Sequence, residues 1–79
     1  RLAAEQGHAG AQYALGCTYA TGQGVPQDYV QAHMWFNLSA AQGDEEALNN
    51  RDLAATLMTP ADISEAERLA RDWLEEHDQ

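Results

Sequence analysis

The chain contains no lysine and only four arginines among 79 residues. Proteins that grip nucleic acid do so largely with Lys and Arg, which displace counterions from phosphates. Thirteen acids give a net charge of −9, so nucleic-acid binding is strongly disfavoured. Anionic membranes are disfavoured on the same electrostatic ground, whereas a basic partner is allowed. There is one cysteine, Cys17. An internal disulfide is therefore excluded, and the redox compartment stays open. No apolar run reaches the roughly 18 residues of a membrane-spanning helix. β-Branched residues are sparse and no segment alternates with a period of two, which argues against a sheet.

What the chain does have is an internal echo. Leu2-Ala3-Ala4-Glu5-Gln6-Gly7 returns 36 residues later as Leu38-Ser39-Ala40-Ala41-Gln42-Gly43, and Ala11 then matches Ala47. A fixed period of this size marks a helical repeat array. Such arrays build extended binding surfaces more often than enzyme pockets. The chain opens at Arg1 without Met, and residues 1–6 read as the end of a helix. On repeat phase, the chain is expected to be the C-terminal piece of a longer array. The face from Arg1 to the first full helix is then expected to expose apolar surface and to favour self-association.

The local signals are helical throughout. Gly7 stops the first segment. A helix is expected from Ala9 to Thr21, with Ala11, Ala14, Leu15, Thr18 and Tyr19 at three- and four-residue steps. Gly16 sits inside it at a cost of roughly 1 kcal/mol against Ala, which points to a close helix–helix approach. Gly22 ends it. Pro26 suits the first turn of the next helix, and Asp28 adds favourable charge there. That helix is expected to run to about residue 42, with Tyr29, Ala32, Trp35, Phe36 and Ala40 as its packing stripe. Asp44, Glu45 and Glu46 open a third helix with Ala47, Leu48, Ala54, Ala55 and Met58 on its buried side. Thr59, Pro60 and Asp62 form a start signal for a fourth helix over residues 60–76. Its expected stripe is Ile63, Ala66, Ala70, Trp73 and Leu74, and Glu67, Arg71 and Glu75 stand at ion-pair spacing. The chain is all-α: two helix hairpins behind the tail of a third.

Charge is unevenly placed. Residues 1–43 carry a net −1 and residues 44–79 a net −8. A solvated acidic end is the plain reading of that block.

Ala11-Gln12-Tyr13-Ala14-Leu15-Gly16, then Tyr19, Gly22, Gly24-Val25, Asp28, Ala32 and Trp35, followed by Ala40-Ala41-Gln42-Gly43, resembles the Sel1-like repeat family. The match is nearly complete over residues 7–43. Residues 44–79 depart from it, with Arg51-Asp52 where the family has Leu-Gly and no Gly-x-Gly-Val loop. Met58-Thr59-Pro60-Ala61 with Glu65-Ala66-Glu67-Arg68-Leu69-Ala70-Arg71 resembles the degenerate terminal units of bacterial members. The resemblance implies an α-solenoid of antiparallel helix hairpins, a right-handed superhelix like that of tetratricopeptide repeats. It divides a single repeat domain, 1–79, into the tail of a preceding repeat (1–7), a full repeat (8–43) and a degenerate capping repeat (44–79), whose acids suit a solvent-facing end.

The resemblance also implies a non-catalytic adaptor that binds a peptide or helix of a partner protein, with no cofactor. In related arrays the first helix of each pair lines the concave groove. That places Gly10, Tyr13, Cys17, Ala20 and Thr21 inward, and by the repeat shift Glu46, Asn49, Leu53, Thr56 and Leu57. Tyr13, Cys17, Thr21, Glu46, Asn49 and Leu53 are the leading partner-binding candidates. The plain alternative is packing for Tyr13 and solvent exposure for Asn49. Other readings are a stability cap for an upstream array and a hydrolase of the cysteine-rich, β-lactamase-associated branch. The lone Cys17 does not support that branch.

Catalytic and metal constellations are poor. His8, His33 and His77 are far apart in sequence and lack a second ligand type at metal spacing. Cys17 has no basic neighbour in sequence to activate it. The acids Asp44, Glu46, Glu75 and Glu76 lie in charge runs at helix ends. Gly22-Gln23-Gly24 has no third glycine in phase and no preceding strand, and Ser39 and Ser64 lack a nucleophile elbow.

Overall fold

Each helix expected from the sequence is present in the computed structural model, which describes residues 2–77. The elements are α1 (Leu2–Glu5), α2 (Ala9–Thr21), α3 (Tyr29–Ala41), α4 (Glu45–Ala55) and α5 (Pro60–His77). No strand occurs among the described residues. Arg1, at the edge of the expected uncovered face, lies outside them.

The helix ends have local causes. Gly22 takes φ 73° and ψ 28°, a left-handed conformation easy only for glycine, and its N–H closes α2 on the Thr18 carbonyl. Asp28 and Asp44 cap α3 and α4, accepting from the N–H groups of Gln31 (3.2 Å) and Ala47 (3.1 Å). At α5 the Thr59 hydroxyl accepts from the Asp62 N–H at 3.1 Å, and the Asp62 carboxylate accepts in return from the Thr59 N–H at 3.4 Å. That is a reciprocal capping box. Pro26 is a correction. It lies in the loop before α3, not in the first turn, because the Asp28 carboxylate starts the helix two residues later.

The whole arrangement hangs on α3. It packs against α2, α4 and α5 at once. Ala32, His33, Met34, Trp35, Phe36, Leu38 and Ser39 are all buried, so α3 is enclosed on every side rather than striped. On one side Met34, Trp35 and Leu38 meet Ala4 and Ala70, with Ala11, Leu15, Tyr19, Leu69 and Trp73 around them. On the other, Ala32 and Phe36 meet Ala47, with Tyr13, Cys17 and Ala20 alongside. Trp35 and Trp73 contact edge to face at 6.0 Å between centroids, a preferred aromatic geometry.

Gly16 does what its position implied. A Cβ built there would lie 2.6 Å from Phe36 Cδ1, so α2 and α3 approach as closely as a bare backbone allows. The repeat shift puts Asp52 at the position of Gly16. Its carboxylate pairs with Arg51 at 3.2 Å, and no glycine–aromatic lock forms in the second unit. There, α4 and α5 lean on α3 more than on each other.

Three further expectations change. Leu48 and Leu74 were placed on buried stripes but are 39% and 49% exposed. Ala47 and Ala54 supply the inner face of α4, and Ala66 and Ala70 that of α5. Among the described residues, the ion pairs of α5 belong to Arg68. It pairs with Glu65 at 2.8 Å and Asp72 at 2.9 Å, in place of a ladder through Arg71. His33, absent from the packing stripe read for α3, is buried with it.

Candidate interaction groove

Helices α2 and α4 both lean on α3 without closing on one another, and the gap between them is a groove. Cys17, Ala20 and Thr21 of α2 form one wall. Asn50, Leu53 and Ala54 of α4, with Thr56 and Leu57 beyond it, form the other. Tyr29 and Phe36 of α3 make the floor, and the cavity holds about 390 Å³. That is within the range of roughly 300–1,000 Å³ typical of binding clefts. The α2 wall is low because its side chains are small. The α4 wall is high, since Leu53 and Leu57 stand one turn apart and are 63% and 65% exposed.

Of the residues placed inward by the repeat register, Cys17, Ala20, Thr21, Leu53, Thr56 and Leu57 come together here. Gly10, Tyr13, Glu46 and Asn49 are not among the lining residues. Gly10, Glu46 and Asn49 are exposed. Tyr13 is partly buried against the Phe36 ring, centroids 5.8 Å apart. Asn50, not Asn49, is the α4 amide that turns inward. Ala47 and Ala54 mark the inner face, and three residues on from Ala47 comes Asn50, while Asn49 is rotated toward solvent. That signal was present in the spacing of the two alanines. Tyr29 and Phe36 were legible as packing residues, and the floor of a groove is part of the core.

A polar cluster closes one end. Asn50 Nδ2 donates to Tyr13 Oη at 3.3 Å and to the Glu46 carbonyl at 2.9 Å. The Tyr13 phenol titrates above its ordinary range, held there first by the Cys17 side chain one turn along, then by burial and the Glu46 carboxylate. At neutral pH it therefore keeps its proton and can donate it. Arg51, the base of α4, is turned away and donates to Asn37 Oδ1 at 3.0 Å and to Asp52.

A second cavity of about 620 Å³ lies between the α1 turn, the end of α3 and the C-terminal half of α5, where Trp73, Leu74 and His77 face Gln6 and Gln42. Beneath it runs a chain of amides. Gln42 Nε2 donates to the Gly7 carbonyl at 2.7 Å and to Gln12 Oε1 at 2.9 Å, and the fully buried Gln12 donates to the Ala4 carbonyl at 3.3 Å. The Ser39 hydroxyl bridges the Ala9 carbonyl (2.8 Å) and the Asp44 carboxylate (3.1 Å). The recurring Ala-x-Gln-Gly phrase thus fastens one helix pair to the next.

Residues 9–44, which span α2, α3 and the cap of α4, match the family model of the Sel1 repeat. A solved crystal structure that superposes on 95% of the chain, with a TM-score of 0.90 and 36% identity, is that of a protective antigen present in uropathogenic Escherichia coli strains, described as displaying an SLR fold. The chain is a Sel1-like repeat protein. It spans 16% of the length of that antigen. None of the curated proteins matches it. Its fold is therefore a helical repeat solenoid of the tetratricopeptide type. Sel1 repeats generally mediate protein–protein interaction and are typically non-catalytic. Among the described residues no helix is long and apolar enough to cross a membrane.

Proposed function

We propose that this Sel1-like repeat segment is a non-catalytic interaction scaffold that holds a short segment of a partner protein in the groove between α2 and α4. The observation that carries this reading is the pair Leu53 and Leu57, 63% and 65% exposed, standing over the apolar floor of Phe36 and Tyr29. Large apolar side chains held in water beside a cleft are the usual mark of a docking surface. Tyr13 and Asn50 supply a polar end that fixes register, the usual division of labour in a peptide groove. Residues 8–43 act as the full repeat and residues 44–79 as a degenerate unit that contributes the second wall.

The test is a crosslinking pull-down from lysate with the wild-type protein beside Leu53→Ser/Leu57→Ser and, as an off-groove control, Asn49→Ala. A partner captured by the wild type and the control but not by the double variant supports the groove. Equal capture by all three places the interaction elsewhere and ends this reading.

A further inference from the structure

The groove itself carries no charge, while the charges beside it have one sign. None of its lining residues is Asp, Glu, Lys, Arg or His. Helix α2 has no Asp, Glu, Lys or Arg, and α3 has none either. At one end groove-lining Asn50 donates to the Tyr13 phenol and to the backbone carbonyl of exposed Glu46, which sets that acid beside the groove. At the other, exposed Asp28 directly precedes groove-lining Tyr29. Arg51 could offset them, but its guanidinium is committed to Asn37 and Asp52.

We infer that the occupant of this groove is a protein segment with an apolar centre and basic residues on its flanks, an inference that rests on the groove reading above. The floor admits only uncharged side chains, because a charge seated on Phe36 and Ala54 would lose its hydration with nothing to replace it. Leu53 and Leu57 then clasp the apolar centre against Phe36. Cations on either side of that centre project toward Glu46 and Asp28. An acidic segment meets repulsion at both ends and no base to relieve it. Electrostatics of this kind select the partner and speed encounter more than they deepen affinity.

The probes are two dye-labelled peptides with the same central run of leucines, one flanked by lysines and the other by glutamates. Binding is read by fluorescence anisotropy on the whole chain, at low and at physiological salt. The lysine-flanked peptide is expected to bind about tenfold tighter, with the gap narrowing as salt rises. Leu53→Ala should weaken it about fivefold. Glu46→Gln should weaken it about two- to fivefold, the scale of an exposed ion pair, while Glu75→Gln, at the second cavity, should leave it unchanged. If the glutamate-flanked peptide binds as well and Leu53→Ala still weakens it, the groove stands and the charge inference falls. If neither peptide responds to Leu53→Ala, the groove reading falls with it. If Glu46→Gln and Glu75→Gln weaken binding equally, only bulk charge is at work and the proposal is overturned.

Discussion

Gly16 of α2 and Phe36 of α3 meet with no room for a methyl group between them: a Cβ on Gly16 would stand 2.6 Å and 2.7 Å from two carbons of the ring. The ring is buried and cannot swing aside. Gly16→Ala is therefore expected to destabilise the chain by about 1–3 kcal/mol through overpacking, even though Ala gains up to about 1 kcal/mol in helix propensity. Phe36→Ala should lose about 3–5 kcal/mol. Urea unfolding followed by circular dichroism measures both. A more stable Gly16→Ala variant would show that α2 and α3 can separate without penalty.

The amide chain from Gln42 through Gln12 to the Ala4 carbonyl gives a second expectation. Gln12→Leu leaves the Ala4 carbonyl with the Gly7 N–H as its remaining donor and the Gln42 amide with one partner fewer, a loss of about 0.5–1.5 kcal/mol. Gln42→Ala loses the bond to Gly7 as well. The two residues share a bond, so their effects should fall short of additive in a double-mutant cycle, with a coupling of about 0.5–3 kcal/mol. Strict additivity would mean that the network contributes nothing as a unit.

His33 sets a pH dependence. It is buried where α3 meets the later helices, and its Nδ1 has no hydrogen-bond partner. Burial first, and the charge of Arg51 second, push its pKa below the ordinary value, against smaller opposing effects of Glu67 and Asp52. The folded imidazole thus takes up a proton less readily than the unfolded one. As pH falls through the unfolded value near 6.5, the unfolded state gains the proton first and stability declines. The decline ends once pH is below the folded value. Denaturation midpoints between about pH 8 and pH 5 should show this slope, and His33→Leu should flatten it. An unchanged slope in His33→Leu would assign the effect to other groups.

Leu53 and Asn49 separate binding from folding. Both are exposed, so Leu53→Ala and Asn49→Ala should each change stability by no more than about 0.5 kcal/mol. Thermal melts check this. A large loss in Leu53→Ala would mean that the α4 wall is structural, and binding data from that variant would then say nothing about the groove.

The helices, the Thr59 cap, the stop at Gly22 and the close approach at Gly16 were legible in the sequence because each is set within a few residues or by one glycine. The Thr59–Asp62 box follows from spacing alone. The repeat register also brought Cys17, Thr21 and Leu53 to one cleft. What it missed turns on tertiary contacts. Pro26 looked like a helix start, but the Asp28 carboxylate outcompetes it. Asn49 and Asn50 are neighbours of the same type, and only the inner face defined by Ala47 and Ala54 tells them apart. Leu48 and Leu74 look like core residues, yet α3 offers alanine-sized gaps that Ala47, Ala66 and Ala70 already fill. Arg68 takes both nearby carboxylates because they sit three residues before it and four after it.

The bond from Gln42 to the Gly7 carbonyl joins a phrase of the sequence to its own earlier copy. Each copy carries both halves of the fastening, a glycine carbonyl to be gripped and a glutamine to do the gripping. The distance along the chain between copies is thereby as much a part of the structure as any side chain. One residue inserted in the loop at 22–28 leaves the grip within reach. One inserted inside α2 or α3 turns everything beyond it by about 100° and lets go. Tolerated length changes in such a chain should therefore cluster in that loop, making the lengths of the helices on either side of it, rather than of the loop, the property most tightly held.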